Sequence, residues 1–203
     1  MKSVKNFFLL SCILLTTVLL SGCWNYREIE KLEIISGFAV DKKDDKYLLT
    51  LEIVTVKGGQ HAEITPKIIS TEGITIFDAI RNAVKISGKK LYFSNAQTVI
   101  INKEIAQEGI VPIIDWISRD AEPRNTIHLL ISTEKTAKEI FEAKPLTSDM
   151  LAFELGDIIS NENIRSKTAD VELWQFMGNL NEKSTSVYRS EEHTSELQSP
   201  NTI

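Results

Sequence analysis

A cysteine near the amino terminus carries the most specific chemistry in this chain. Lys2 and Lys5 precede an apolar stretch over residues 7–20, and Cys23 follows three small or apolar residues, Leu20, Ser21 and Gly22. An apolar stretch of about 7 to 15 residues is typical of a secretory signal peptide, whereas about 18 or more are needed to cross a bilayer. Little side-chain bulk before a cysteine is the pattern that a lipoprotein signal peptidase recognises, since the thiol is acylated before the cut. The sequence therefore predicts export, cleavage after residue 22 and a lipid on Cys23. An ordinary signal peptide with a cysteine nearby by chance is the alternative.

A lipid on Cys23 would decide where the protein acts. A diacylglyceryl thioether, with or without a third chain on the new amino terminus, supplies two or more acyl chains, which is about what stable membrane attachment requires. Because Cys12 leaves with the leader and Cys23 carries the lipid, no thiol remains to form a disulfide. We therefore expect a domain that is tethered to the outer leaflet and stabilised by an ordinary hydrophobic core.

The other reactive residue types do not combine into a catalytic or metal-binding pattern. A hydrolase of the cell wall would need paired carboxylates in a cleft or a metal cluster. Asp44 and Asp45 are adjacent, but their surroundings are typical of a solvated turn. His61 and His128 have no second ligand at helical or hairpin spacing, and we expect His128 to be a core or edge residue of a strand. The sequence therefore predicts a protein that is not an enzyme and has no metal or cofactor.

Composition limits the partners of the chain. The formal net charge is −5, so no basic surface is expected for nucleic acid or for an anionic membrane beyond the lipid itself. Hydrophobic residues make up 42% and charged residues 25% of the chain, which is ordinary for a globular domain with a hydrophobic core.

The carboxyl-terminal residues have a pattern that predicts a non-native origin. Residues 189–199 read RSEEHTSELQS and resemble the translation of a common sequencing-library adapter. A natural polar tail is the alternative, because the composition alone suits a disordered terminus. We expect a lipoprotein signal peptide over 1–22, one truncated domain over 23–188 and a non-native tail over 189–203, so that the chain is a fragment of a longer protein.

Hydrophobic periodicity predicts an α+β fold. Strands are expected over 34–40 and 47–56 as a β-hairpin around a charged turn at 41–46, and over 97–102 and 126–132. Residues 64–71 are expected to form either an edge strand or an irregular segment because of Pro66. Helices are expected over 75–88, 103–108, 112–118 and 133–143, followed by 148–160 and 169–179. This alternation predicts a mixed β-sheet covered by helices, with a helical C-terminal appendage.

Three surface features allow two interpretations each. Trp24 and Tyr26 suit either the membrane interface or packing on the first strand. Trp116 has isoleucine neighbours at helical spacing, which favours the core over a partner surface. The charged connector over 119–124 is either an ion-paired loop, which is favoured because exposed charges are routine, or a docking site for a membrane subunit.

Several spaced motifs, in order along the chain, resemble one protein family. They are WNYREI over 24–29, ISGFAVDK over 35–42, FDAIR over 77–81, GKKLYFS over 88–94 and DWISRD over 115–120, continuing up to Arg124. The likeness covers essentially all of the chain between the leader and the adapter-like tail. The chain resembles the Ger(x)C family, the lipoprotein C subunits of spore nutrient germinant receptors. Two positions depart from the family pattern: Asn25 stands where Asp is common, and Asn95 stands near where a His is frequent.

The resemblance implies a lipid-anchored, non-enzymatic protein on the outer face of the cell membrane or of the inner spore membrane. It implies that the chain acts with integral membrane germinant-receptor subunits to trigger germination in response to small nutrients, and that further α+β domains follow in the whole protein. The resemblance does not imply which nutrient is sensed, or that this subunit binds it. The alternative function is a solute-binding lipoprotein of an importer.

Overall fold

The computed structural model describes residues 2–19, 28–58, 62–120, 122–162 and 172–181. The chain divides into two compact units, Met1–Lys31 and Leu32–Ile203. The first unit contains helix α1 (Lys2–Leu19) and a short 3₁₀ helix at Ile29–Lys31. No helix among the described residues is both long enough and apolar enough to cross a membrane.

Six strands of the second unit form one mixed sheet. They are β1 (Leu32–Lys43), β2 (Lys46–Lys57), β3 (Glu63–Gly73), β4 (Lys90–Tyr92), β5 (Thr98–Asn102) and β6 (His128–Ser132). The strand order is β3-β2-β1-β5-β6, and β4 pairs with the beginning of β1. Strand β2 runs antiparallel to both of its neighbours, β1 and β3, whereas β4, β5 and β6 run parallel to β1. The predicted α+β fold with a mixed sheet is confirmed.

The first hairpin has longer strands and a tighter turn than the sequence predicted. Strand β1 continues through Asp41 to Lys43, so that only Asp44 and Asp45 remain in the turn. Asp44 adopts a φ of 54°, in the left-handed region that Asp tolerates better than most residues. The predicted turn over 41–46 is therefore too long, because Asp41 is a buried strand residue. Strand β3 lies at the edge of the sheet, as Pro66 predicted.

The described residues of the second unit form five α-helices. They are α2 (Ile76–Ser87), α3 (Lys103–Glu108), α4 (Val111–Arg119), α5 (Leu151–Glu162) and α6 (Leu173–Asn181). Helix α2 begins where Thr75 Oγ1 accepts a hydrogen bond of 3.1 Å from the Asp78 N–H, and it ends at Gly88, whose φ of 68° few other residues adopt. These two ends are where the sequence predicted them.

Two local predictions differ from the structure. The helix expected over 133–143 is a shorter 3₁₀ helix, Ala137–Glu142, and Thr133 does not cap it. The Asp41 carboxylate binds the first N–H groups of this helix, so a contact distant in sequence decides where it begins. The sequence analysis also missed strand β4, because a strand of three residues is too short to show a periodic pattern of apolar residues.

The sheet is covered on both faces by hydrophobic clusters of different size. The larger cluster joins one face of β1, β2 and β5 to α2, α4 and α6, and the smaller joins the other face of β1 and β5 to the 3₁₀ helix and α5. Leu173 and Phe176 of α6 lie in the larger cluster, and Leu151 and Ala152 of α5 in the smaller. The two C-terminal helices are therefore part of the packing of the domain.

Candidate functional site

The predicted lipid site falls in a part of the chain that is not described. Residues 20–27 include Cys23 and its recognition residues Leu20, Ser21 and Gly22, together with Trp24 and Tyr26, and they lie outside the described residues, as do His61 and the tail over 189–203. The anchor and the position of the two aromatic residues remain predictions.

The candidate catalytic residues do not come together. Asp44 and Asp45 are exposed in the hairpin turn, as predicted. His128 begins the edge strand β6 and is half-buried, and its Nε2 lies 3.4 Å from Ser160 Oγ, which is long for a hydrogen bond. Within the described ranges, no group of three or more His, Cys, Asp or Glu side chains is placed to hold a metal ion.

The sequence reasoning missed three buried carboxylates that hold the covering layer of the second face in place, Asp41 and Glu52 on the sheet and Glu154 on α5. Asp41 and Glu52 are 2% exposed and Glu154 is 6% exposed. Each accepts two or three backbone N–H bonds from the segment that covers this face. Since an uncompensated buried charge is costly, these hydrogen bonds are what permit the carboxylates to be there.

Glu52 joins the centre of β2 to the first turn of α5. Its Oε1 accepts from the Leu151 N–H at 2.9 Å, and its Oε2 accepts from the Ala152 N–H at 3.0 Å and from Ser36 Oγ at 2.6 Å. The first N–H groups of a helix have no partner within the helix and carry a partial positive charge, so a carboxylate is a favourable partner there. Glu52 thereby attaches α5 to the sheet.

Asp41, near the end of β1, attaches the 3₁₀ helix Ala137–Glu142 to the sheet in the same way. Its two carboxylate oxygens accept from the Ala137 N–H at 2.6 Å and from the Lys138 N–H at 2.9 Å. Asn102, at the end of the neighbouring β5, donates from Nδ2 to Asp41 Oδ1 at 3.2 Å. Parallel strands place their carboxyl ends at one edge, and here that edge holds the 3₁₀ helix.

Glu154, in the first turn of α5, binds the backbone of the loop that precedes the helix. One carboxylate oxygen, Oε2, accepts from the N–H groups of Leu146 at 2.7 Å, Thr147 at 2.9 Å and Ser148 at 3.4 Å. The N–H groups, that of Thr147 foremost, hold the pKa of the Glu154 carboxyl below its usual value despite burial, because they bind the charged form.

Trp116 occupies the core, as its spacing predicted. It is 9% exposed, and its ring makes edge-on contacts with Phe38 and Phe93 at centroid distances of 5.7 and 5.2 Å. Among the described residues, Nε1 of Trp116 has no hydrogen-bond partner. Trp116 also borders an open groove of about 790 Å³, which is lined by residues of α2 and α4 and by Tyr47.

The charged connector after α4 contains the ion pairs that one of its two interpretations predicted. Arg119 Nε lies 2.7 Å from Asp115 Oδ1 across one helical turn, and Glu122 pairs with Lys90 at the start of β4. These pairs support the ion-paired loop, and the docking interpretation of this connector stays a prediction.

A smaller, polar cavity lies at the other end of the sheet. It measures about 380 Å³ and is bordered by the loops that precede β5 and β6 and by one side of α5. Arg124, His128 and Asp157 are among the side chains in its wall. The charged and polar character of this wall distinguishes it from the groove beside Trp116.

Comparison with known proteins assigns this α+β domain to a class. The family described as "Spore germination protein N-terminal domain" matches residues 25–189, and the chain belongs to that family. The resemblance that the spaced motifs indicated is therefore confirmed.

Individual relatives agree with the family. The chain is 32% identical over 147 residues to "Spore germination protein KC" of Bacillus subtilis (strain 168), an alignment that covers 68% of this chain and 36% of the relative. It is 27% identical over 171 residues to "Spore germination protein A3" of the same strain, covering 78% and 44%. It is 27% identical over 123 residues to "Spore germination protein GerQC" of Bacillus cereus, covering 60% and 34%. In each of these alignments the chain spans less than half of the relative, and no solved structure matches it.

Proposed function

We propose that this chain is the amino-terminal part of a lipid-anchored, non-enzymatic C subunit of a spore nutrient germinant receptor. The observation that carries the proposal is the family match over residues 25–189, directly after the lipid-attachment pattern that ends at Cys23. In this proposal the protein acts with integral membrane subunits, on the outer face of the cell membrane or of the inner spore membrane, to trigger germination.

The proposed mechanism is scaffolding at the membrane. A lipid on Cys23, after cleavage beyond Leu20, Ser21 and Gly22, would confine the domain to the membrane plane beside its partners. Confinement raises the effective concentration of the domain for those partners, so that weak contacts suffice for assembly.

The buried carboxylates support a role without catalysis. Asp41 and Glu52 are surrounded by protein, and backbone N–H groups occupy both oxygens of each. A general acid or base must reach a substrate within hydrogen-bond distance, and these two side chains are already bound within the fold.

The domain limits belong to the same proposal. We infer a signal peptide over 1–22, a truncated domain over 23–188 and a non-native tail over 189–203. The adapter-like residues and the end of the family match at residue 189 support the last assignment. Sequencing the gene again across codon 189 tests it, and a natural reading frame that encodes the same residues would refute it.

The anchor is tested by a cysteine exchange with a matched control. Cys23→Ala should move the protein from the membrane fraction to the soluble fraction, because no thiol is left to carry the lipid. Cys12→Ala, which changes the other cysteine of the leader, should leave it in the membrane fraction. Membrane retention of Cys23→Ala equal to that of the unchanged protein would contradict the lipid anchor.

The receptor function is tested by germination of spores that lack the gene. We expect loss of the response to at least one nutrient, with an intact response to a trigger that bypasses nutrient receptors. Because related receptors can overlap in function, strains that lack the others provide the background. Normal responses to every nutrient in that background would favour the solute-binding lipoprotein of an importer instead.

A further inference from the structure

An apolar patch lies at the end of the sheet where β1 begins. Side chains directly opposite each other on neighbouring strands share a face of the sheet, and so do residues two apart on one strand. Ile34 is paired with Val54, and Val54 is paired with Pro66, so these three side chains share a face. With their neighbours two residues away they form the hairpin patch, which consists of Leu32, Ile34, Val54, Val56, Ile64, Pro66 and Ile68.

The hairpin patch continues the second face of the sheet beyond the layer that covers this face. Glu52, two residues before Val54, is 2% exposed because the first turn of α5 lies on it. Val54 is half-buried, whereas Val56 is 61% exposed. On β3, Ile64 is 41% exposed and Ile68 is 37% exposed. None of the seven residues of the hairpin patch belongs to either hydrophobic cluster of the described residues, so core packing does not explain them.

The opposite face of the same strand ends is polar. It carries Thr55 opposite Thr65 and, one pair nearer the loop, Lys57 opposite Glu63. The two threonines are half-buried, whereas most of the hairpin patch on these two strands is exposed. Apolar residues of a sheet normally face the core and polar residues face water, so the pattern is reversed here. Such a reversal indicates that the exposed face contacts an apolar partner.

The composition of the hairpin patch favours a lipid surface over a protein as this partner. Protein interfaces are usually anchored by Trp, Tyr and Arg, whereas the hairpin patch has only aliphatic side chains and a proline. Pro66 also opposes pairing of another strand with the outer edge of β3, because proline lacks the N–H that a ladder needs. Aliphatic side chains bind at the boundary between headgroups and acyl chains in proportion to the apolar area that they bury there.

The predicted anchor would hold the hairpin patch close to the membrane. Leu32, a member of the hairpin patch, is the ninth residue after Cys23. A segment of nine residues spans at most about 30 Å when it is fully extended. A lipid on Cys23 would therefore raise the effective concentration of the hairpin patch at the headgroups, so that a modest apolar area suffices for contact.

We propose that the hairpin patch lies on the membrane surface and fixes the orientation of the domain there. The inference rests on the lipid anchor of the proposed function, and it adds which face of the domain meets the bilayer. Because the contact is made by aliphatic side chains, it should not depend on salt, unlike the attraction of basic residues to anionic lipids.

Collision rates of spin labels test this orientation in the mature lipidated chain, reconstituted into vesicles of phosphatidylethanolamine and phosphatidylglycerol. Since Cys12 leaves with the leader and Cys23 carries the lipid, an introduced cysteine carries the only label. Labels at Val56→Cys and Ile64→Cys report on the hairpin patch, and labels at their sequence neighbours on the opposite face, Lys57→Cys and Glu63→Cys, are the matched controls.

The labels on the two faces should differ in the environment that they report. Those at positions 56 and 64 should collide more often with oxygen, which concentrates in lipid, and less often with a water-soluble nickel chelate than the two controls do. The difference should be the same at low and at high salt.

A polar substitution measures how strongly the hairpin patch binds. Val56→Ser should shift the equilibrium between the membrane-bound and the free orientation about tenfold toward the free one, as expected for the loss of one buried aliphatic side chain. The nickel collision rate of the label at position 64 reports this shift. Lys57→Ser, at the exposed neighbour, is the control and should change the equilibrium less than about twofold. Circular dichroism of each variant shows that it is folded.

Three results would overturn the proposal. Labels at positions 56 and 64 that meet the nickel chelate as often as the controls do would place the hairpin patch in water. Labels shielded from both oxygen and the chelate would mean that protein covers it, either a second copy or another part of the chain. A lipidated chain that fails to float with the vesicles would refute the anchor itself, whereas the first two results, obtained with floating protein, would leave the anchor intact.

Discussion

On one face of the sheet β1 presents Phe38 and Val40, whereas on the other face the same strand presents Gly37, Ala39 and Asp41. The first face packs large apolar side chains against α2, α4 and α6. The second face packs small ones against the 3₁₀ helix and α5, and buried carboxylates bind the backbone of these elements. Because side chains alternate along a strand, one segment of sequence builds both kinds of contact.

The two faces differ in the kind of interaction that attaches the covering helices to the sheet. Apolar burial is non-directional and grows with the area removed from water, so the first face tolerates small shifts of its helices. Charge-assisted hydrogen bonds need good geometry and an ionised acceptor. We therefore expect the segment over 134–162 to depend on single side chains and on pH, and the helices of the first face to depend mainly on packed volume.

The largest effect is expected from removing a ring at the centre of the first face. Phe38→Ala should lower the free energy of unfolding by about 3 to 5 kcal/mol, since it deletes a fully buried ring that contacts Phe93 and Trp116. Chemical denaturation of the purified chain measures it. Phe77→Ala, at a ring that is 52% exposed, is the control and should cost less than about 1 kcal/mol. Equal losses in the two variants would mean that the aromatic cluster is not the centre of the core.

The next largest effect is expected where β2 meets α5. Glu52→Gln should lower the free energy of unfolding by about 2 to 3 kcal/mol. The N–H groups of Leu151 and Ala152 each bind a different carboxylate oxygen of Glu52, and a glutamine amide offers only one acceptor oxygen. In this variant, the rate of hydrogen exchange should increase more at the Leu151 and Ala152 amides than at the amides of β5. Glu63→Gln, at an exposed glutamate of β3, is the matched control and should change neither quantity. Unchanged exchange at both amides in Glu52→Gln would show that the carboxylate does not hold α5.

A steric change tests how closely the second face is packed. A Cβ on Gly37 would lie 2.5 Å from the Ala152 Cβ and 2.8 Å from Thr98 Oγ1, so Gly37→Ala should lower the free energy of unfolding by about 1 to 2 kcal/mol. Gly178→Ala on α6 has nothing within 4 Å and should be neutral or stabilise by about 0.5 to 1 kcal/mol. A neutral Gly37→Ala would indicate that α5 can move away from the sheet at little cost.

The smallest effect is a pH dependence. Because the folded state lowers the pKa of the Glu154 carboxyl, its contribution is present above the unfolded-state pKa and is lost as pH falls through the folded-state pKa. Stability should therefore fall less steeply with acidification in Glu154→Gln than in the unchanged chain. Denaturation midpoints from neutral pH down to acidic pH measure the two slopes, with Glu63→Gln as the control. Parallel profiles for Glu154→Gln and the unchanged chain would contradict a role for this carboxylate in acid sensitivity.

Much of the fold was predictable because its signals are local. The hairpin of β1 and β2 follows from alternating apolar residues, and the ends of α2 follow from Thr75 and Gly88. Pro66 predicted the edge position of β3, since proline lacks the N–H that a central strand needs. The spaced motifs predicted the family, which the match over residues 25–189 confirms.

The candidate site was less predictable. Glu52 lies among apolar residues of β2, and a buried acid in such a strand is a signal that a tertiary partner exists, but the sequence does not say which. Its partners, Leu151 and Ala152, are about a hundred residues away.

The sequence by itself determined the leader pattern at Cys23, the order of the strands and helices apart from β4, and the family, because short-range patterns and motifs encode each of these. Only the tertiary structure decided the start of the 3₁₀ helix at Ala137 and the docking of α5. The physical reason is that a buried carboxylate acquires its role from groups far away in sequence. Those groups become its neighbours only when the two faces of the sheet are covered.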